Sequence, residues 1–354
     1  MSESLYIYQI NFVLIKYKKV KKMNKKIEVI WIILLLMINT QPIVCNLARG
    51  MEGNENKPQP LSVHDKFSMS PGDYIRFIRF GLRIRSYRIH IPPSYDGKTA
   101  VPLVIVLHGN TANSKVIKTK TNFDEVANRD CFIAVYPNGA TDLITAFYYL
   151  IFHQRWARSL NGGFCCGNAV KRNIDDVGFI KALIEELQCR LNINSSRIYS
   201  TGNSNGGIMT YRLGAELSEI FAAIGVSGAS IGGRLNKNFP FWMIPEPDHP
   251  LPVIIIHGMK DDTVPYDGNV RFLPVNTSVS FWVEHNNCDP IPEINISESG
   301  NIIRKTYKNG FEGTEVILYS VVNGTHSWYG SKGSPITEIS STELIWEFFK
   351  QYPN

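Results

Sequence analysis

Arg197-Ile-Tyr-Ser-Thr-Gly-Asn-Ser-Asn-Gly-Gly207 reads as the end of a strand, a tight turn and the start of a helix. Ile198 and Tyr199 suit a short buried strand, and Ile208, Met209, Tyr211, Leu213 and Leu217 recur at roughly helical spacing. Between them, Gly202-Asn-Ser-Asn-Gly206 is a Gly-x-Ser-x-Gly turn in the context that a nucleophile elbow demands. Glycine two residues either side of Ser204 lets strand and helix approach closely, and the strained turn pushes the hydroxyl outward. Backbone N–H groups at the helix start can then stabilise a developing oxyanion. Composition alone places such a pentad in a chain of this length about one time in ten, and an ordinary strand–turn–helix corner looks the same. The reading therefore requires a base, an acid and oxyanion donors elsewhere, in a consistent order.

Outward from this stretch, continuous apolar runs alternate with helical patterns. Pro102 to Gly109, Cys131 to Gly139, Phe221 to Val226, Leu251 to Gly258 and Glu315 to Val322 read as strands buried on both faces. Asp73 to Tyr95 alternates and predicts two strands broken near Gly81. A stripe of Val177, Ile180, Leu183, Ile184, Leu187 and Leu191 predicts a helix capped by Asp175 or Asp176. Val279 to His285 and Thr342 to Tyr352 predict two more. Strand–helix alternation with wholly apolar strands means a mostly parallel sheet covered on both faces. Residues 71–354 contain no internal repeat or linker, so a single α/β domain is expected. Tyr148 to Gly167 and Gly232 to Pro250 are expected as loops over the C-terminal edge of the sheet, where open α/β sheets bind ligands.

The 354 residues are 44% hydrophobic and 19% charged, which argues against global disorder. The formal charge of +6 is misleading, because residues 1–50 hold eight Lys/Arg and two acids while the remainder holds 29 of each sign. The globular part has no overall bias toward nucleic acid. Lys21-Lys22-Met23-Asn24-Lys25-Lys26 followed by the apolar run Val29 to Ile38 reads as a secretory signal that starts functionally at Met23. Residues 1–45 are thus expected to be a signal peptide with an upstream extension, an uncleaved membrane anchor being the other reading, and 46–70 a flexible lead-in. No stable membrane span is expected in the mature, extracellular protein. Six cysteines (45, 131, 165, 166, 189, 288) fit an oxidising compartment, and four sequons begin at Asn194, Asn276, Asn295 and Asn323.

A nucleophile needs a general base, and the base needs a carboxylate to fix its tautomer. On this architecture the chain order is Ser, acid, His. Two segments beyond strand ends follow Ser204: His257-Gly-Met-Lys-Asp-Asp-Thr-Val-Pro-Tyr266 and Asn323-Gly-Thr-His-Ser-Trp-Tyr-Gly330. Asp261 is the better acid by its distance from the strand, with Asp262 as the alternative; His326 is the base. His108 and His257 end apolar strands before glycine and read as structural hydrogen bonders under the site. The oxyanion donors expected are the N–H groups of Asn205 and of Asn110, with Thr111 second.

The ordered set Leu107-His-Gly109, Phe164-Cys-Cys-Gly167, Asp175-Asp-Val-Gly-Phe179, Arg197 to Gly207, His257-Gly-x-x-Asp261-x-x-Val-Pro-Tyr266, Asn287-Cys288 and His326-x-Trp328 resembles the secreted esterases named polyhydroxybutyrate depolymerases and feruloyl esterases, related to carbohydrate esterase family 1. The likeness runs from about Ser86 to Gly330. It implies an α/β-hydrolase fold, a Ser-Asp-His triad, no metal and no organic cofactor. Carried over by position, the triad is Ser204, Asp261 and His326, the set reached from the residues. There are departures. Tyr329 stands where the family has proline, and Tyr307 to Phe311 lacks the cysteine that would pair with Cys288. Trp156 to Gly163 replaces a shorter segment.

The expectation is a secreted serine esterase on a feruloyl or related ester of cell-wall xylan. A hydroxyalkanoate polyester is the runner-up substrate, and a catalytically inactive relative that binds polysaccharide or a protein is the other class. A peptidase or thioesterase on the same fold is a third reading. Trp156 and Trp328, with Phe164 and Trp242, are candidates to stack on the acyl group or a sugar, core packing being the competing role.

Overall fold

The computed structural model describes residues 69–140, 158–334 and 336–353. The expected signal segment and all but the last two residues of the lead-in lie outside them. The described residues belong to one compact unit, Glu55–Asn354. No described helix is long and apolar enough to cross a membrane.

The chain enters through an antiparallel pair, β1 (Gly72–Phe80) and β2 (Arg83–Ile91), split at Gly81 as the alternation predicts. The central strands are β3 (Val101–Leu107), β4 (Ile133–Pro137), β5 (Ile193–Asn203) and β6 (Ala223–Ser227). A short hairpin of β7 (Gly232–Gly233) and β8 (Trp242–Met243) precedes β9 (Val253–Gly258). Then follow β10 (Glu293–Ile296), β11 (Ile302–Tyr307) and β12 (Val316–Val321). Ten of these form one sheet in the order β1-β2-β4-β3-β5-β6-β9-β12-β11-β10. From β4 to β12 neighbours pair in parallel, while both margins are antiparallel. The wholly buried runs seen in the sequence are these parallel strands.

Strand periodicity sorts the core into two layers. Leu103, Ile105 and Leu107 of β3 face one side, with Ile224, Val253, Ile255 and Leu318; α4 (Asp176–Arg190), α5 (Asn205–Glu216) and α6 (Val275–His285) cover them. Val104 and Val106 face the other side, with Ile254, Ile256 and Ile317; α1 (Ser114–Thr121), α2 (Phe123–Asp130) and α7 (Ser341–Phe349) cover those. A five-residue α3 (Gly167–Lys171) precedes α4. The α/β-hydrolase reading is thus the observed fold.

Several elements escape the sequence pattern. α1 and α2 are largely polar, and their limits are set by capping: the Asn113 side chain accepts from Lys115 and Val116 N–H, and left-handed Asn122 separates the two helices. β10 is exposed at all four positions, so its short Glu-Ile-Asn-Ile alternation marks no buried face. α7 starts one residue earlier than expected, where the Ser340 hydroxyl accepts from Glu343 N–H, and ends at Phe349 rather than Tyr352.

Candidate active site

β5 delivers Ser204 to the head of α5. The serine sits at φ 58°, ψ −123°, a conformation that non-glycine residues rarely adopt. A Cβ on Gly206 would lie 2.2 Å from the Leu107 carbonyl oxygen, and one on Gly202 would lie 2.4 Å from Gly206 C, so both elbow positions require glycine. The Ser204 N–H donates to Ser227 O at 2.9 Å, locking the elbow to β6.

The loops after β9 and β12, which neighbour each other, bring Asp261 and His326 together. His326 Nδ1 donates to Asp261 Oδ2 at 2.7 Å. The other carboxylate oxygen accepts from Thr263 N–H at 2.9 Å and Val264 N–H at 2.8 Å. His257 Nε2 donates to Val264 O at 2.8 Å and stands 3.4 Å from Asp261 Oδ2. Burial works to raise the Asp261 carboxyl, but hydrogen bonds from His257, His326 and the Val264 N–H outweigh it and hold the group well below the usual carboxylate range. An ionised Asp261 fixes the His326 proton on Nδ1 and leaves Nε2 with a lone pair. Asp262 is exposed and, among the described residues, accepts only from its neighbour, the Thr263 hydroxyl.

The histidine and the serine converge on Gly228. Ser227, which anchors Ser204, precedes it, and a Cβ on Gly228 would lie 3.3 Å from His326 Nδ1. Among the described residues no hydrogen bond joins the Ser204 hydroxyl to His326; such contacts commonly tighten only around a substrate.

Beside the serine runs the turn after β3, where a Cβ on Gly109 would lie 3.5 Å from Ser204 Cβ. His108 fixes this turn, with Nδ1 donating to Gly109 O at 2.8 Å and Nε2 accepting from Gly139 N–H at 2.9 Å. Burial pushes its pKa down to about 4, so the ring is a neutral strut, in line with its sequence reading. Asn205 N–H heads α5, and neither it nor Asn110 N–H has an acceptor among the described residues. Thr111, the second choice of donor, is excluded because its N–H already donates to Arg158 O at 2.8 Å.

The segment 158–167 covers this corner through contacts that sequence reasoning missed. The Asn205 side chain accepts from Leu160 N–H at 2.8 Å and donates to Leu160 O at 2.9 Å. Asp175, not Asp176, caps α4. Asp176 turns inward, accepting from Asn161 N–H at 2.7 Å and pairing with buried Arg85 at 2.5 Å. Cys165 and Cys166, adjacent in this segment, are bonded to each other. Cys131 and Cys288 are free.

The aromatic candidates divide. Trp328 is buried against Phe123, its Nε1 donating to Thr342 Oγ1 at 2.9 Å. That corrects its reading as a stacking surface: it is core, because α7 closes over it. Phe164 is also buried, and Trp242 is half-buried. Trp156 lies outside the described residues.

The described residues include one group with metal-ligand proximity, Asp73, His90 and Asp124. Lys118 Nζ binds both of its carboxylates and the Asn128 amide oxygen accepts from His90 Nε2, so the group is an internally compensated ion-pair network.

A family model described as Esterase PHB depolymerase matches residues 85–239. Feruloyl esterase B of Piromyces equi is 24% identical over 277 residues, 76% of this chain and 45% of that protein. This chain therefore spans less than half of that relative. A probable feruloyl esterase C of Aspergillus niger is 26% identical over 279 residues, 75% of this chain and 83% of that protein. An acetyl xylan esterase structure from Aspergillus awamori superposes with a TM-score of 0.52 at 14% identity, covering 75% of this chain and 94% of that one, a likeness of fold. The chain is similar to the polyhydroxybutyrate depolymerase and feruloyl esterase family, as its motifs indicate, and has the fold of α/β-hydrolase esterases.

Proposed function

We propose that this chain is a secreted serine carboxylic-ester hydrolase acting on plant cell-wall esters, with feruloyl esters of xylan as the leading substrate. The observation that carries the reading is the 2.7 Å Asp261–His326 hydrogen bond on the rim where Ser204 heads α5. The similarity to feruloyl esterases supports the substrate class.

His326 Nε2 takes the Ser204 proton as Oγ attacks the ester carbonyl. Asp261 holds the ring and stabilises the imidazolium. Asn205 and Asn110 N–H groups receive the carbonyl oxygen as it becomes an oxyanion. The C–O bond to the alcohol breaks, and the alcohol leaves with the proton from His326. Water then attacks the acyl-serine with His326 again as base, releasing the acid and restoring the hydroxyl.

A polyester substrate is the second reading, favoured by the family model over residues 85–239. Hydrolysis of p-nitrophenyl acetate, lost in a correctly folded Ser204→Ala protein, tests the chemistry. Inertness of folded protein toward a broad ester panel would instead favour a binding role. Side-by-side hydrolysis of methyl ferulate, xylan acetate and hydroxybutyrate oligomers ranks the substrates.

A further inference from the structure

The β7–β8 hairpin takes no part in the proposed chemistry, yet it grows out of the site. β6 ends at Ser227, which anchors the Ser204 N–H; Gly228 abuts His326, and β7 begins at Gly232. The hairpin is sewn to the covering segment by aromatic rings. Phe164 and Trp242 lie 6.0 Å apart between centroids, as do Phe164 and Phe272. Phe164 belongs to the segment that Asn205 holds.

Beyond this seam the outer surface is apolar. Phe239 is 50% exposed, Phe241 49%, Met243 42% and Val270 64%. The same surface is cationic. Arg234 lies 4.6 Å over the Phe241 ring and Arg271 lies 5.3 Å from the Phe272 ring centroid, with exposed Lys237 between the hairpin strands. Among the described residues Arg234 donates only to main-chain oxygens, those of Val270 and Lys237. No ion pair engages Arg234, Lys237 or Arg271 among the described residues, and the single acid across 232–243 and 266–273 is Asp267.

We propose that this face is a subsite for a polysaccharide chain bearing carboxylate groups, such as a uronic-acid-containing cell-wall chain. The proposal rests on the esterase reading and names the polymer whose esters the site meets. Phenyl faces pack against the C–H faces of pyranose rings, and guanidinium forks take carboxylates in bidentate geometry. A guanidinium already stacked on a ring is held flat, which lowers the ordering cost of that contact. A neutral glycan would leave three cations without an ionic partner, and a polyanion lacking sugar rings would leave the phenyl faces bare.

The test is calorimetric titration of the Ser204→Ala protein, so that binding is read without turnover; failure of the esterase reading shows separately, as inertness of the unsubstituted protein toward p-nitrophenyl acetate. Oligogalacturonate is expected to bind about tenfold more tightly than a neutral xylo-oligosaccharide of equal length, a margin that fades near ~1 M salt. Lys237→Glu with Arg271→Glu should abolish that margin; Lys237→Gln with Arg271→Gln is the milder pair should the first not fold. Phe241→Ala should weaken both sugars. Equal affinity for the two sugars, indifference to both charge pairs, or equally tight binding of single-stranded nucleic acid would each overturn the proposal.

Discussion

Ser204 holds its hydroxyl outward only by standing in a backbone region that costs non-glycine residues about 1–3 kcal/mol. Ser204→Gly is therefore expected to melt higher than Ser204→Ala, by roughly 1 kcal/mol in stability, while both lose turnover. Equal melting temperatures would show that the turn is relaxed. Asp261→Asn should lower kcat on the order of 10³–10⁴-fold, because the amide no longer fixes the His326 tautomer. Asp261 also shapes stability. Its folded carboxyl titrates well below the unfolded one, so its contribution is complete above about pH 4 and lost as pH falls toward the folded value. The stability gap between the parent protein and Asp261→Asn should narrow below about pH 4 in denaturant melts. His108 acts at higher pH. Burial lowers its pKa from 6.5 to about 4, so the unfolded chain takes the proton first. Stability should fall as pH drops through that window, and His108→Asn should flatten the slope.

At the scale of elements, Asp176 ties three pieces together: α4 that carries it, Arg85 on β2, and the Asn161 N–H of the covering segment. Asp176→Ala leaves Arg85 buried without its carboxylate and is expected to cost about 3–5 kcal/mol, read from urea midpoints, with a larger loss of activity on polymer than on small esters. A cost below 1 kcal/mol would show that the pair is solvated. This link also marks how far the sequence could be read. The parallel strands were legible because both faces are buried, which leaves continuous apolar runs with Val104 and Leu103 in opposite layers; α4, α5 and α6 were legible because a stripe such as Val177 to Leu187 must face one layer. Asp261 and His326 were legible because each follows a strand end that topology brings to one rim. Asp176 was not, since an acid beside a helix start reads as a cap and its partner lies 91 positions away. Trp328 was misread because its burial depends on Phe123, far earlier in the chain, and on α7, which closes over it. Polar α1 offered no apolar stripe, and the four-residue alternation of exposed β10 marks no buried face.

For the whole molecule, the antiparallel margins matter most. Among the described residues β10 ends the sheet with an unpaired edge, and Ile291, Ile294 and Ile296 around it are 83%, 56% and 64% exposed. Such an edge invites pairing with another chain. Ile294→Lys should reduce self-association in light scattering at high protein concentration, with melting temperature changed little; unchanged scattering would mean that the edge is shielded. At the opposite end of the problem lies the amide group of Asn205, which commits both its donor and its acceptor to one peptide unit at Leu160. The segment that covers the serine corner is thereby bolted to the residue proposed to electrify the carbonyl. Cover and catalysis share a single anchor point, so an engineer who rebuilds residues 158–167 alters turnover in the same stroke.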